Sequence, residues 1–332
     1  MSHPAVSPQP RVPRAGVWCP AVTFFDPATD TLDLESQKKY FAYLSRTGLA
    51  GLVVLGTNAE AFLLTREERR QLIAAAREAV GPDFPLMAGV GAHSTRQTLE
   101  LARDAAQAGA DYLLVLPPAY FGKATTPAAV QRFFADVARA APLPVLIYNF
   151  PAVCNGVDID SDTITAVVRE SAASSPDGTS NVVGVKLTCA SVGKITRLAA
   201  TFPPDTNTFA VFGGQSDFLF AGLSVGSAGC IAAFANIFPK TISHIYNLYR
   251  AGKVTEALEL HRKAALAEAA VKSGIAAVKY AVAVYSAKEA GLDDGAEEKL
   301  RPRTPYEPAD EAVRARVRGE AMEVVARIEQ SL

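Results

Sequence analysis

Eight short apolar runs, each followed by a stretch of helical character, leave this chain few folds to adopt. The runs are VWCPAVTFF (17–25), GLVVLG (51–56), FPLMAGVG (84–91), DYLLVLPP (111–118), LPVLIYNFP (143–151), NVVGVKLT (181–188), NTFAVFGG (207–214) and GCIAAFA (229–235). Most are continuously apolar. A strand with one wet face alternates apolar and polar residues, whereas a strand covered on both faces does not, so the runs fit a parallel sheet sheathed by helices. With 49% hydrophobic and 20% charged residues in 332, the chain is too apolar to stay disordered and long enough for a large core.

The segments between the runs carry helix signals. Thr65-Arg-Glu-Glu68 is a capping box ahead of Arg69–Val80. Ser94–Ala108 stops at Gly109, and Thr126-Pro127 opens a helix with proline at its first position. Glu35–Thr47, Ser161–Ser171, Ser191–Thr201, Gln215–Val225 and Asn236–Ala251 complete the set. Eight strand–helix pairs predict an α/β fold, a (β/α)8 TIM barrel, over residues 15–251. An open doubly wound sheet shares the alternation, but its G-x-G-x-x-G fingerprint is missing after the first run, and Gly89-Val-Gly91 is incomplete. Beyond residue 251 no further strand is expected. Val254–Ser273, Ile275–Ala290 and Pro308–Ser331 read as helices of a C-terminal appendage over 252–332.

Residues 1–14, MSHPAVSPQPRVPR, read as a disordered tail. They lack the apolar stretch of a secretion signal. Arg11 and Arg14, with no acid before Asp26, give a weak transit-peptide character, which four prolines oppose by breaking the amphipathic helix such a peptide needs. The expected location is cytoplasmic, with mitochondria as the weaker alternative. Lys and Arg total 33 against 34 Asp and Glu, so no basic excess points to nucleic acid. No apolar run of about 18 residues suggests a membrane span. Cys19, Cys154, Cys189 and Cys230 are far apart, without metal-ligand or disulfide spacing, and read as buried reduced thiols.

Sites on such barrels lie at the C-terminal ends of the strands. There Lys186 follows the apolar Val182-Val-Gly-Val185. A lysine inside a barrel is costly unless paired or discharged, and a discharged amine attacks carbonyls. The bland reading is a lysine paired with a carboxylate, but no Asp or Glu ends runs five to seven. Tyr148 ends the neighbouring run and is either a proton shuttle or a core ring with its hydroxyl in water. Thr57 and Asn58 follow run two, where they either hold a substrate carboxylate or cap a turn. Gly213-Gly214 permits a ligand to approach the backbone or simply makes a tight turn. The sequence has no HExxH, GxSxG or GxxxxGK[ST], so neither a metal nor a nucleotide cofactor is expected.

GTNAE (56–60), Pro118-Ala-Tyr120, YNFP (148–151), GVK (184–186) and GG (213–214) resemble, in order and spacing, the motifs of the dihydrodipicolinate synthase / N-acetylneuraminate lyase family across roughly residues 15–290. The resemblance implies a class I aldolase without cofactor or metal, commonly a homotetramer, acting on a small 2-keto acid. Lys186 would form the imine with pyruvate and Tyr148 would relay protons. Thr57 would join the relay and, with Asn58, hold the pyruvate carboxylate. Tyr120 would reach a neighbouring subunit's site, and Gly214 and Ile231 would be backbone positions near the substrate and Lys186. Ala59 replaces the family's usual glycine, and the PAVCNG stretch (151–156) lacks the arginine of lysine-biosynthetic synthases. KLTC (186–189) and CIAAFANIFPKTISHIYNLY (230–249) are similar to the fungal L-threo-3-deoxy-hexulosonate aldolases. The expected substrate is therefore 2-keto-3-deoxy-L-galactonate, cleaved to pyruvate and L-glyceraldehyde. The alternative is 4-hydroxy-2-oxoglutarate, which releases glyoxylate and needs a cation that PAVCNG does not supply. A dihydrodipicolinate synthase or a non-catalytic metabolite-binding barrel is less favoured.

Overall fold

The computed structural model describes residues 11–292 and 295–332. Strands β1 (Gly16–Pro20), β2 (Gly51–Val54), β3 (Leu86–Gly89), β4 (Tyr112–Val115), β5 (Val145–Asn149), β6 (Val182–Leu187), β7 (Ala210–Gly213) and β8 (Gly229–Ile231) close into one parallel barrel in sequence order. Closure comes from β8 pairing with β1, with Val17 opposite Cys230 and Trp18 opposite Ile231. Helices α1 (Leu34–Leu44), α2 (Arg66–Val80), α3 (Thr95–Gln107), α4 (Pro127–Ala140), α5 (Ser161–Ala173), α6 (Val192–Thr201), α7 (Leu219–Ser224) and α8 (Pro239–Arg250) separate and follow the strands.

The expected caps form. The Thr65 hydroxyl accepts from the Glu68 N–H at 3.2 Å, and the Glu68 carboxylate accepts from the Thr65 N–H at 2.8 Å. Two of the orphan donors of α2 are thereby satisfied. All eight strands are buried. One face packs on the helices. The other fills the barrel with Trp18, Val53, Met87, Tyr112, Leu114, Phe212 and Ile231. This two-sided burial is why the runs read as continuously apolar.

Several elements differ from expectation. The first run leaves the sheet at Pro20, because the N–H groups beyond it find other acceptors. Val22 donates to Asn236 Oδ1 at 3.1 Å, Phe24 to Gln37 Oε1 at 3.0 Å and Phe25 to the Lys299 carbonyl at 2.9 Å. Helix α7 starts four residues late, since the segment before it turns toward Glu268, whose carboxylate accepts from Ser216 Oγ at 2.5 Å. The last expected helix is divided by Gly319 into Glu311–Val317 and Glu320–Ser331.

The appendage comprises α9 (Val254–Glu268), a 3-10 turn (Ala269–Val271), α10 (Ile275–Tyr285), α11 (Ala296–Lys299), α12 (Glu311–Val317) and α13 (Glu320–Ser331). It is bound tightly to the barrel. Glu329 on α13 accepts from the N–H groups of Lys240 at 2.9 Å and Thr241 at 2.7 Å, placing an anion at the N-terminus of α8. Lys279 on α10 pairs at 2.6 Å with Glu60, which follows β2, and both side chains are buried. Arg303 donates to both carboxylate oxygens of Glu68, each at 2.8 Å.

Residues 1–10 of the expected tail lie outside the described residues. Residues 11–14 are packed: Val12 is buried in the barrel interior, and the Arg14 carbonyl accepts from Trp18 Nε1 at 3.0 Å. Among the described residues, no helix is long and apolar enough to cross a membrane.

Candidate active site

Residues at strand ends share a mouth because parallel strands deliver all their C-termini to one side. Tyr148 on β5 and Lys186 on β6 are register partners, so their side chains lie next to each other. Both are buried, at 3% and 2% exposure. Lys186 Nζ stands 4.3 Å from the centroid of the Tyr148 ring. No carboxylate among the described residues pairs with Lys186, so the paired-lysine reading does not hold. The Tyr148 hydroxyl lies 3.3 Å from Thr57 Oγ1, which the 3-10 turn Thr57–Ala59 places directly after β2. The lysine, the phenol and the threonine are thus contiguous.

They open into a cavity of about 700 Å³. Thr57, Asn58, Tyr148, Lys186, Thr188 and Gly214 line it. Thr188 lies two residues beyond Lys186, on the same face of the strand direction. Its hydroxyl is buried without a partner among the described residues. Gly214 approaches so closely that a Cβ there would stand 2.0 Å from Thr188 Oγ1.

Ile231, expected as a backbone position, ends β8 with its side chain packed inside the barrel. Tyr120, on the segment after β4, is 74% exposed and outside its own chain's cavity. Its ring contacts His93 at 6.1 Å and Phe121 at 5.1 Å between centroids, and His93 in turn contacts Phe62. Cys154 of PAVCNG is buried, and burial pushes its thiol up to about 12, so it remains a neutral thiol. Among the described residues, no group of three or more His, Cys, Asp or Glu is placed to hold a metal ion.

The appendage supplies a wall that sequence reading did not assign. Glu268, Lys272, Ser273 and Gly274 line the same cavity, as do Pro302, Tyr306 and Glu307. Lys272 donates to Gln215 Oε1 at 2.7 Å and lies 2.7 Å from Asp217 Oδ2 and 3.6 Å from Glu268 Oε1. Burial raises the Glu268 carboxyl, against the lowering effects of Lys272 and Ser216. In a segment rich in Ala, Glu and Lys, nothing local distinguishes Lys272 from a solvated helix lysine.

The fold and the site together define a (β/α)8 barrel with a strand-borne lysine facing a mouth cavity. The profile of the dihydrodipicolinate synthetase family matches residues 13–322, and the chain belongs to that family. It is 70% identical over 323 residues (97% of this chain, 99% of the relative) to a Coccidioides immitis protein provisionally named 4-hydroxy-2-oxoglutarate aldolase, mitochondrial. It is 36% identical over 298 residues to an L-threo-3-deoxy-hexylosonate aldolase of Aspergillus niger (82% and 86%). Crystal structures of a Coccidioides immitis protein, provisionally placed in the dihydrodipicolinate synthase family, superpose with a TM-score of 0.88 at 66% identity, covering 97% of this chain and 99% of that one.

Proposed function

We propose that the protein is a class I aldolase that cleaves 4-hydroxy-2-oxoglutarate to pyruvate and glyoxylate. The observation that carries the chemistry is the buried Lys186 amine, with no carboxylate paired to it among the described residues, 4.3 Å from the Tyr148 ring centroid at the edge of the cavity. The Lys186 nitrogen attacks the C2 ketone, water leaves, and a protonated imine forms. Tyr148 gives its phenol proton to the hydroxyl that departs as water, and the resulting phenolate then takes the C4 hydroxyl proton, with Thr57 Oγ1 within reach of the relay. The C3–C4 electron pair moves into the imine, leaving an enamine, and the aldehyde departs. Protonation at C3 and hydrolysis of the imine release pyruvate and restore the amine. Thr57 and Asn58 hold the C1 carboxylate. No cofactor enters these steps.

The substrate assignment differs from the sugar acid expected from sequence. That expectation rested on the likeness of KLTC and CIAAFANIFPKTISHIYNLY to the sugar-acid aldolases and on the lack of a cation in PAVCNG, whereas Lys272 lines the cavity from the appendage. The 70%-identical relative bears the oxoglutarate name, and the sugar-acid aldolase is only 36% identical. The same relative's name supports a mitochondrial location over the cytoplasmic one, which fractionation of the cells that make the protein would decide.

The exposed patch of Phe62, His93, Tyr120 and Phe121 suits contact with a second copy, into whose site Tyr120 would extend. Sedimentation of the intact chain as a monomer would remove this role.

The deciding assay is pyruvate release, comparing kcat/KM for 4-hydroxy-2-oxoglutarate and 2-keto-3-deoxy-L-galactonate. Preference for the sugar acid overturns the substrate assignment. Lys186→Ala is expected to abolish cleavage and borohydride trapping with pyruvate. Tyr148→Phe is expected to lower kcat by about 10²–10⁴. Unchanged turnover in either variant removes that residue's role.

A further inference from the structure

Among the described residues, Lys186 and Lys272 are the two basic side chains of the cavity lining. Lys186 is committed to the reacting carbon on the reading above, which leaves Lys272. Its position links it to the reacting centre through a short chain of contacts. Gln215, which accepts from Lys272 at 2.7 Å, directly follows Gly214, and Gly214 lies against Thr188, two residues beyond Lys186.

The Lys272 ammonium is not saturated. It carries three N–H donors. Gln215 and Asp217 stand within hydrogen-bonding distance, both at 2.7 Å. Glu268 at 3.6 Å lies beyond an ordinary hydrogen bond. One donor is therefore without an acceptor among the described residues, on a side chain still 34% exposed. Glu268 has its own donor in the Ser216 hydroxyl.

The backbone is shaped to present this side chain. Helix α9 ends at Glu268, a 3-10 turn follows, and Lys272 caps that turn. Two residues later Gly274 takes φ +133, a conformation that L side chains rarely adopt, and α10 begins.

We infer that Lys272 is the specificity-determining residue that receives the distal carboxylate of a 2-oxo dicarboxylic acid at the third N–H of its ammonium. The Gln215 amide and the Asp217 carboxylate orient the ammonium for this. The inference rests on the proposed substrate class. It gives the appendage a part in recognition: the barrel supplies the amine and phenol, and the turn after α9 selects the acid.

The test compares two probes that differ only at the far end. 2-Oxoglutarate and 2-oxopentanoate have the same five-carbon chain, with and without the distal carboxylate. Calorimetric titration of the intact wild-type chain is expected to show 2-oxoglutarate binding about 10- to 100-fold tighter, as a charge-assisted hydrogen bond should give. Lys272→Met should erase that difference while leaving 2-oxopentanoate affinity unchanged, and Lys272→Arg should retain most of it. Equal affinities in the wild type, or a difference that survives in a folded Lys272→Met protein, overturn the inference. The wild-type comparison needs no variant to fold and no turnover. Failure to cleave 4-hydroxy-2-oxoglutarate would sink the proposed reaction, and the probe comparison would still decide the role of Lys272.

Discussion

Gly214 shows how little slack the site leaves to a single residue. An added Cβ would meet not only the Thr188 hydroxyl at 2.0 Å but also the Thr188 Cα at 2.5 Å, and backbone of β6's end cannot step aside as a side chain can. Gly214→Ala is therefore expected to cost about 1–3 kcal/mol of stability, as overpacking does. Turnover should fall too, because Thr188 and Lys186 share a strand end. Urea denaturation and pyruvate release measure both, and wild-type values in each would show the contact to be loose. Individual residues also explain what the sequence revealed. Lys186 and Tyr148 stood out because a charge and a phenol are conspicuous in an apolar run. Thr57 was legible from its place in a turn after a strand. Lys272 was not, because a lysine among Ala and Glu on a helix is ordinary and its partners Gln215 and Asp217 lie more than fifty residues earlier.

Among the elements, strands were legible wherever both faces are covered, since burial itself writes the continuous apolar run. Their ends were less so. The run after Trp18 stays apolar through Phe25, but Pro20 ends the pairing because side chains of Asn236 and Gln37 take over the backbone donors. Tertiary acceptors of that kind have no local signature. The link between α10 and the turn after β2 rests on a buried ion pair. Glu60 holds Lys279 at 2.6 Å and accepts from the Arg303 N–H at 2.7 Å, and does so from a left-handed φ of 56. Burial lowers the Lys279 ammonium from its ordinary range, with Glu60 opposing it. Glu60→Gln strands a buried charge and is expected to cost about 3–5 kcal/mol, whereas the double change Glu60→Gln with Lys279→Met should recover much of that loss. Thermal or urea denaturation of the three proteins tests it, and an additive double variant would show that the two groups are not coupled.

The whole molecule carries a pH signature through His261 on α9. Burial lowers its imidazole below the ordinary 6.5, with Asp217 opposing, and Nδ1 has no partner among the described residues. The unfolded chain therefore binds a proton at this site before the folded one does. Its contribution is fully present above about pH 6.5 and is lost as pH falls through the depressed folded value. The wild-type Tm is expected to fall more steeply between pH 7 and 5 than that of His261→Gln. Parallel slopes would show that His261 does not govern acid stability.

The barrel floor is stopped. Val12 and the Trp18 ring, with Tyr112 and Phe212 edge-on at 6.0 and 6.4 Å, fill the tube below Lys186. A vessel with one opening imposes an order of traffic. On the proposed reaction, the cleaved aldehyde must leave by the mouth before water can reach the imine, so pyruvate is always the last to go. In initial-rate kinetics pyruvate should then inhibit competitively against substrate and glyoxylate should not, and the reverse pattern would mean that pyruvate is not the product held on Lys186.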